Sequence, residues 1–484
     1  MPAIHFFVLL ISFISFGSNF AVPVDDGPSS LTRRLPSGAT LYQLSRRGSL
    51  VDEDGVLDQD KFDNHIRYVL RKQIEGAMNY YMNTGNVLAT FNMTPYQLED
   101  VYNTGALPLV DDTPPTDGTG AAVRVSQAIG SAENPSISRV QSGAISPLSR
   151  ASARGGAVPM NNLAGKDLIW AAPIQIGTPP KTFFVSIDTG SSDLFVASDR
   201  CPQAQCAGKN LYLASESVTA IPTARNFSIG FGDGSSVKAI VVRDTVSVAG
   251  QTLPNMGFGA VTQLSPQFQS STGDTSDGLM GFGFPSLSQS KTDPFFTTLT
   301  KADPQMGVIG TKFVGRSVSG SELTIGGVNP LSFRGPFTTL NVLAMTGQQA
   351  GFWDVEFEGA TLNGRPLQLT STIATIDTGT SIIAVPQADA RTIYASIPGS
   401  TAKSGGQYSF PCAANPMLSM NFGGRAFNIN PQDMSIGRDR QGNCVGGIVG
   451  TDRQGVWLVG QVFLKNVYTA YDQRNYTVSF ADLA

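Results

Sequence analysis

The chain of 484 residues is predicted to be an all-β protein built from two related halves. Charged residues make up only 14% of it, whereas an average soluble domain has about 25%. Glycine occurs 52 times and proline 29 times, which favours short strands joined by turns over long helices. An Asp-Thr-Gly triplet occurs twice, each time after an apolar, β-branched run. Further short β-rich runs are found at 172–176, 182–187, 239–243 and 321–325.

The N-terminus has the pattern of a secretory signal peptide. Residues 6–16 are nearly all apolar, and a polar Gly-Ser-Asn follows them. This run is too short to span a bilayer but is typical of a signal sequence, so we expect residues 1–21 to be removed. A buried helix of a cytosolic domain is the alternative. No other stretch approaches the ~18 apolar residues of a membrane helix, so we expect no membrane anchor.

Residues 22–156 are predicted to form a prosegment. Its one long helix, residues 58–82, has apolar residues at helical spacing and carries Arg67, Arg71 and Lys72. Residues from about 111 to 156 are rich in Ser, Thr, Ala, Gly and Pro, which predicts a flexible linker. Basic sites, which are either processing sites or ordinary surface charge, occur at Arg33, Arg34, Arg46, Arg47, Arg150 and Arg154.

The charge and the histidines exclude several classes of function. A net charge of −4 argues against binding to nucleic acid through a basic face. The two histidines, His5 and His65, both precede the predicted working domain. Ser-His-Asp triads, Cys-His pairs and histidine-ligated zinc are therefore excluded from that domain, and we expect neither a metal nor a cofactor.

The cysteines and the sequons agree with secretion. All four cysteines follow residue 200, and the sequence alone leaves three pairings open. We expect the local pairs, Cys201 with Cys206 and Cys412 with Cys444. Triplets of the form Asn-x-Ser/Thr are candidate glycosylation sites, and they occur at Asn92, Asn226 and Asn475.

The repeated motif is predicted to carry the chemistry. Each copy follows an apolar run and precedes another one, and two such copies in matching contexts are much rarer than one. A pair of ordinary turns between strands is the alternative. The residues of the two copies are Asp188, Thr189, Gly190 and Ser191, and Asp377, Thr378, Gly379 and Thr380.

Two carboxylates brought together from related halves cannot both ionise easily, because like charges raise one of the two pKa values. The pair then shares one proton and titrates as a unit. One carboxylate can take a proton from a water held between them, while the other polarises a carbonyl. Such a pair hydrolyses peptides without histidine, metal or a covalent intermediate. Each glycine lets backbone N–H groups approach the carboxylate, and each threonine hydroxyl can brace the opposite loop.

These residues and their order resemble the pepsin-like aspartic endopeptidases, especially secreted fungal ones, over roughly residues 157–484. Segments 277–285 and 457–460 resemble the apolar-apolar-Gly elements beneath the two catalytic loops, and segment 227–235 resembles the flap hairpin. The resemblance implies a bilobal pepsin-like fold, with a cleft between two β-barrel-like lobes. The N-terminal lobe would span 157–330 and the C-terminal lobe 331–484.

The resemblance also implies the roles of single residues. Asp188 and Asp377 would be the catalytic pair, with Ser191 and Thr380 bonded to their outer oxygens. The residues implied to contact substrate are Phe231, Gly232 and Asp233 of the flap, together with Phe195 and Leu279.

Four departures from the family are visible. Phe231 replaces the flap tyrosine, Phe195 replaces the tryptophan that usually binds it, and Gln461 replaces an aspartate after the second apolar-apolar-Gly element. The flap therefore lacks its hydrogen-bonded latch. Family prosegments are often basic, whereas residues 1–156 hold more acidic than basic residues, so release by charge alone at low pH should be weaker.

The sequence therefore predicts a monomeric aspartic endopeptidase of class EC 3.4.23, made as a zymogen that its own prosegment inhibits. It would be secreted or vacuolar, act at acid pH on proteins and peptides, and favour hydrophobic residues around the cut. Asp233 would either accept lysine before the cut or only stabilise the hairpin turn. A catalytically weak or inactive pepsin-like binding or inhibitor protein is the alternative; an all-β carbohydrate-processing enzyme would not explain the flap.

Overall fold

Strands dominate the structure, a computed structural model, as the all-β prediction requires. No helix in the described part of the chain is long and apolar enough to cross a membrane. The predicted signal peptide, flap residues 231–235, Asn92 and most of the predicted linker lie outside the described residues. The described residues are 50–52, 54–91, 93–104, 137–140, 148, 155–163, 167–230, 236–265, 275–453 and 455–484.

The α-helices of the described residues are α1 (Gln59–Thr84), α2 (Pro95–Thr104), α3 (Gln203–Cys206), α4 (Phe295–Ala302), α5 (Gln387–Ala395) and α6 (Gln461–Leu464). The strands up to residue 325 are β1 (Ile137–Arg139), β2 (Gly156–Asn162), β3 (Trp170–Ile176), β4 (Lys181–Asp188), β5 (Leu194–Ala197), β6 (Ile221–Gly230), β7 (Ser236–Val248), β8 (Gln251–Leu264), β9 (Gly278–Gly281), β10 (Val308–Lys312) and β11 (Ser321–Ile325). The later strands are β12 (Phe333–Asn341), β13 (Leu343–Met345), β14 (Asp354–Glu356), β15 (Ala360–Leu362), β16 (Arg365–Pro366), β17 (Ile373–Ile376), β18 (Ile383–Pro386), β19 (Thr401–Ala402), β20 (Tyr408–Phe410), β21 (Leu418–Phe422), β22 (Arg425–Asn428), β23 (Ser435–Arg438), β24 (Cys444–Gly446), β25 (Ile448–Thr451), β26 (Val456–Val459), β27 (Val467–Asp472) and β28 (Thr477–Leu483).

One sheet of 13 strands has the order β12-β28-β27-β10-β11-β2-β3-β4-β9-β5-β8-β7-β6. A second sheet of five strands has the order β14-β17-β26-β18-β25. The first Asp-Thr-Gly copy follows from β4 in the large sheet, and the second follows β17 in the five-stranded sheet. The two copies therefore come from two different sheets.

The strands around the two copies repeat one arrangement. In the large sheet, β4 is parallel to β9, which is antiparallel to β5. In the five-stranded sheet, β17 is parallel to β26, which is antiparallel to β18. Strands β9 and β26 belong to the apolar-apolar-Gly elements of the sequence. Each of these elements thus pairs with the strand that leads into an Asp-Thr-Gly turn.

Helix α1 agrees with the long helix that the sequence predicts, and ends two residues later. The Asp58 side chain caps its start by accepting the Lys61 backbone N–H, and Gly85 ends it in the left-handed conformation at φ 74°. Buried residues surround much of the helix rather than forming a single apolar stripe, and they include Arg71, Lys72 and Glu75. The helix is therefore enclosed by protein, and its polar side chains need partners there.

One part of the predicted flexible linker forms a strand, which the sequence did not predict. Strand β1 pairs with β13 in antiparallel register, and the Val140 N–H donates to the Val342 carbonyl. Arg139 also forms an exposed ion pair of 3.5 Å with Glu356. Backbone pairing with a free strand edge needs no side-chain periodicity, so the composition of the segment did not reveal it.

Both disulfides join cysteines that are close in the sequence. Cys201 is bonded to Cys206 with a Cα separation of 6.1 Å, and Cys412 to Cys444 with one of 5.0 Å. Of the three pairings that the sequence leaves open, the structure has the local one.

Candidate active site

Two buried carboxylates lie where the two halves of the molecule meet. Asp188 is the last residue of β4, and Asp377 directly follows β17. The side chains are 1% and 0% exposed, respectively. Because each aspartate ends a strand that is held by a parallel neighbour, its position is fixed by the sheet rather than by a free loop.

The two carboxylates accept matching sets of hydrogen bonds. The Gly190 N–H donates to Asp188 Oδ1 at 2.9 Å, and the Ser191 hydroxyl donates to Oδ2 at 2.6 Å. The equivalent donors on the second turn are the Gly379 N–H, 2.9 Å from Asp377 Oδ1, and the Thr380 hydroxyl, 2.8 Å from Oδ2. Hydrogen bonds of this kind favour the ionised carboxylate and hold its orientation.

The threonines of the motif tie the two turns together. The Thr189 hydroxyl donates to the Ile376 carbonyl at 3.0 Å, and the Thr378 hydroxyl donates to the Ile187 carbonyl at 2.9 Å. Each hydroxyl also accepts the backbone N–H of the other threonine, both at 3.0 Å. Each threonine hydroxyl thus braces the opposite loop, as the sequence predicts.

The glycines of the motif leave room for the opposite carboxylate. A Cβ at Gly190 would lie 2.4 Å from Asp377 Oδ2, and a Cβ at Gly379 would lie 2.3 Å from Asp188 Oδ1. Both distances are too short for a side-chain carbon. The third residue of each triplet must therefore be glycine because the carboxylate of the other half occupies the space of its side chain.

The ammonium group of Lys72 lies between the two carboxylates. Its Nζ is 2.6 Å from Asp188 Oδ1, and 2.9 and 3.0 Å from the two oxygens of Asp377. The next residue of α1, Gln73, donates from Nε2 to Asp377 Oδ2 at 3.2 Å. All three charged side chains are buried, so a segment far upstream in the chain fills the space between the carboxylates.

The pKa values of the two aspartates are shifted in opposite directions from the usual value. Burial raises the pKa of Asp188, but the Lys72 charge and several hydrogen bonds outweigh burial and hold it below its usual range. For Asp377, burial and the nearby Asp188 charge outweigh Lys72, and the pKa is raised. Burial alone would lower the pKa of Lys72, yet the two carboxylates raise it. Lys72 is therefore an ammonium group at acid and neutral pH.

The apolar residues predicted to contact substrate lie beside Asp188. Phe195 and Leu279 are buried and face each other across the β5–β9 pair. Together with Ile229 they line a cavity of about 30 Å³ that also touches Lys72 and Asp188. The flap residues Phe231, Gly232 and Asp233 lie outside the described residues.

Gln461, which replaces an aspartate of the family pattern, supports the second turn. Its Nε2 donates to the Thr378 carbonyl at 2.8 Å, and its backbone N–H donates to the Thr380 carbonyl at 2.7 Å. Its Oε1 is buried without a hydrogen-bond partner among the described residues. The amide therefore holds the turn through one of its two polar atoms.

Two of the three sequon asparagines are described, and both are accessible. Asn226 is exposed on β6. Asn475 is exposed in the turn between β27 and β28, although its Nδ2 donates to Asp472 Oδ2 at 2.9 Å. Glycosylation of either residue stays a prediction.

The sequence shows Lys72 as a charge on the helix but does not predict its position at the site. Its neighbours Val69, Leu70 and Ile74 are buried, so Lys72 lies on an enclosed part of the helix. A lone cation in such a place needs anions to face it, and the repeated aspartates were the obvious candidates. The sequence also gave no indication that His65 Nε2 would lie 2.5 Å from the Ser381 hydroxyl, next to the second turn.

Comparison with known proteins matches residues 169–483 to the family model of the eukaryotic aspartyl proteases. An aspartic protease of Phaffia rhodozyma is 36% identical over 327 residues, which are 66% of this chain and 77% of the relative. Major aspartyl peptidase 1 of Cryptococcus neoformans var. grubii is 31% identical over 347 residues, covering 66% and 69%. Pepsin-2B of Gadus morhua is 30% identical over 319 residues, covering 64% of this chain and 95% of its own.

Proposed function

The chain belongs to the eukaryotic aspartyl protease family and is a pepsin-like aspartic endopeptidase, and we propose that it is made as a secreted zymogen with Asp188 and Asp377 as its catalytic pair. The family match begins at residue 169, so the helix that carries Lys72 precedes the enzyme part. Removal of the residues up to about 156 would free the carboxylates. The active enzyme would then work at acid pH in a secretory or vacuolar compartment.

The main support for this proposal is the ammonium group of Lys72, which bridges the two carboxylates. Lys72 Nζ lies within 3.0 Å of both side chains, which leaves no room there for an attacking water and a peptide carbonyl. With Lys72 bound, neither carboxylate can serve as a base toward substrate. The bridge is therefore a competitive block that proteolysis of the chain would lift.

Without Lys72 the two carboxyls share one proton, because their negative charges repel each other. The ionised carboxyl takes a proton from a water molecule, whose oxygen bonds to the scissile carbonyl carbon. The protonated carboxyl donates a hydrogen bond to the carbonyl oxygen and stabilises the charge that develops there. The carbon–nitrogen bond then breaks, and the amine leaves with a proton from the pair. No covalent enzyme intermediate is required.

The walls of the site support a preference for large hydrophobic side chains around the cut bond. Phe195, Leu279 and Ile229 line the space next to Asp188. Apolar walls with a few polar groups at the reacting centre are typical of peptide-binding clefts. We also propose that Phe231 of the flap contacts substrate. Asp233 either binds a lysine before the cut or only stabilises the hairpin turn.

The proposal is tested by purifying the full chain and following its size and activity after acidification. We expect loss of the residues before about 156. Cleavage of unfolded protein should follow, and a statine peptide, which mimics the transition state, should block this cleavage. A chain that is processed but never cleaves a peptide would overturn the proposal. Phe231 and Phe195 replace the tyrosine and the tryptophan whose hydrogen bond usually holds the flap in this family. That result would therefore favour a pepsin-like binding protein.

A further inference from the structure

Arg453 lies on the loop between β25 and β26, beside the strand that is parallel to β17. Its guanidinium carbon lies 4.6 Å from the centre of the Phe91 ring, and its Nη1 donates to Gln73 Oε1 at 3.4 Å. Both partners belong to the segment before residue 156. A cation of the enzyme part is therefore covered by groups that the proposed activation removes.

Gln73 connects this cation to the paired carboxylates. Its Nε2 donates to Asp377 Oδ2 at 3.2 Å, while its Oε1 accepts from Arg453. The side-chain amide of Gln73 therefore bridges the guanidinium and Asp377. A peptide bound with its scissile bond at Asp377 would bring the side chain of a nearby residue into the space that Gln73 and Phe91 now fill.

The guanidinium has donors that the covered state does not use. Its Nε and Nη2 are buried, and neither has a hydrogen-bond partner among the described residues. Burial lowers the pKa of Arg453 to about 10, against the opposing effect of Asp354, so the group is cationic throughout the acid range. Buried N–H groups without acceptors are unfavourable, and an acceptor that reaches them gains a charge-assisted hydrogen bond.

The charged groups near Arg453 do not occupy the N–H donors that its guanidinium leaves unused. Asp354 on β14 is buried and accepts the Thr375 hydroxyl at 2.5 Å, and burial raises its pKa. It makes no hydrogen bond with Arg453 in the part of the chain that the structure describes. The Lys72 charge, which faces Asp377, leaves with the helix. Because Asp354 binds protons more readily than usual, it neutralises Arg453 less as the pH falls.

We propose that Arg453 in the processed enzyme binds a carboxylate side chain of the substrate close to the cut bond, so that glutamate there is preferred over glutamine. The inference rests on the proposed function and names a specificity determinant for it. A guanidinium presents two parallel N–H donors that match a carboxylate, which a neutral amide cannot equal. The Phe91 ring beside it indicates that the apolar stem of a glutamate also fits there.

The test compares peptides with one hydrophobic cut bond, in which each of the three flanking positions on either side is in turn glutamate or glutamine. The enzyme obtained by processing of the full chain is used, and kcat/KM is measured at pH 5.5 and pH 3.0. At one position we expect the glutamate peptide to be cut about tenfold faster at pH 5.5, as for a charge-assisted hydrogen bond. The ratio should approach one at pH 3.0, because glutamate is then protonated.

Two variants separate recognition from a structural effect. Arg453→Met should bring the glutamate-to-glutamine ratio to one at both pH values. Arg365→Met removes the same charge from an exposed position on β16 and should keep the wild-type ratio. An unchanged ratio in Arg453→Met would overturn the inference, even if the variant released its prosegment faster.

The glutamate-to-glutamine ratios of the wild-type enzyme test the role of Arg453 even if Arg453→Met fails to fold. A ratio near one at every position, or a ratio that does not change between the two pH values, overturns the role of Arg453. Cleavage of the glutamine peptides in either case shows that the proposed function stands. If no peptide is cut at all, the proposed function fails, and the inference falls with it.

Discussion

Thr189 and Thr378 exchange hydrogen bonds across the boundary between the two sheets: each backbone N–H donates to the hydroxyl of the other residue at 3.0 Å. The hydroxyls in turn donate to the carbonyls of Ile376 and Ile187. All four hydrogen bonds are buried, so water does not compete with them for their donors and acceptors. The spacing of the two aspartates therefore depends on this pair.

Replacing Thr378 with valine should weaken both stability and activity. The shape is kept, but the Thr189 N–H is left buried without an acceptor, which costs about 1–3 kcal/mol. Thermal unfolding and kcat for a peptide measure the two effects. Thr378→Ser is the matched control and should behave nearly as wild type. Equal stability of the valine and serine variants would contradict the role of the hydroxyl.

Replacing Gly379 with alanine should abolish activity in the processed enzyme. The new carbon would lie 2.3 Å from Asp188 Oδ1 and 2.6 Å from Asp188 Cγ, so the carboxylates must move apart or turn away. Binding of a statine peptide should be lost together with peptide cleavage, while circular dichroism keeps its β-rich spectrum. Near-normal cleavage by this variant would mean that the two carboxylates do not work at the distance seen here.

Replacing Lys72 with methionine should open the site before processing. The variant leaves two buried carboxylates without their cation, and breaking a buried ion pair costs about 3–5 kcal/mol. We expect unprocessed Lys72→Met to bind a statine peptide at pH 6.5, where unprocessed wild type does not. Lys61→Met, on the same helix but in a partly exposed ion pair with Asp58, is the control. Failure of Lys72→Met to bind, with its processing site still intact, would argue against the block.

Glu75 should make docking of α1 weaker as the pH rises. Burial raises its pKa to about 7, against the opposing effect of Arg71. A group whose pKa is raised in the docked state stabilises that state at low pH, and this contribution is lost as the pH rises through about 7. The lowered pKa of Asp188 acts in the opposite sense, because its contribution is lost as the pH falls. Acid alone therefore has opposing effects on release.

Hydrogen exchange of α1 in the unprocessed chain at pH 5.5 and 8.5 measures the effect of Glu75. Wild type should lose protection at pH 8.5, whereas Glu75→Gln, which imitates the protonated acid, should keep it. The expected difference is roughly 2–3 kcal/mol from the size of the pKa shift. Glu99→Gln on α2, which removes a carboxylate that is not buried, should follow wild type. The same pH dependence in Glu75→Gln and wild type would refute this contribution.

The sequence was sufficient for the fold class and for the residues around the aspartates, since strand periodicity and a repeated turn motif are local signals. The donors Ser191 and Thr380 and the threonine braces lie where the motif implies. Contacts with the upstream segment could not be predicted in the same way. Lys72 is 116 residues from Asp188, and no local pattern specifies which helix residue meets which loop.

Arg453 and strand β1 show the same limit. Arg453 meets Gln73 across 380 residues, and its position matters only because two segments remote in sequence converge there. Strand β1 forms through backbone pairing with β13, so its composition resembles a linker. Sequence patterns therefore describe elements well, whereas the pairing of distant elements depends on the whole fold.

Asp188 and Asp377 are expected to act as one catalytic unit, which single amide substitutions can test. Asp188→Asn and Asp377→Asn keep the shape of each side chain but prevent the two groups from sharing a proton. Cleavage of a hydrophobic peptide at acid pH by the processed chains is the measurement, with the exposed Asp293→Asn as control. We predict that each active-site variant loses all measurable turnover while the control keeps it. Near-normal turnover in either active-site variant would mean that Asp188 and Asp377 do not act as a catalytic pair.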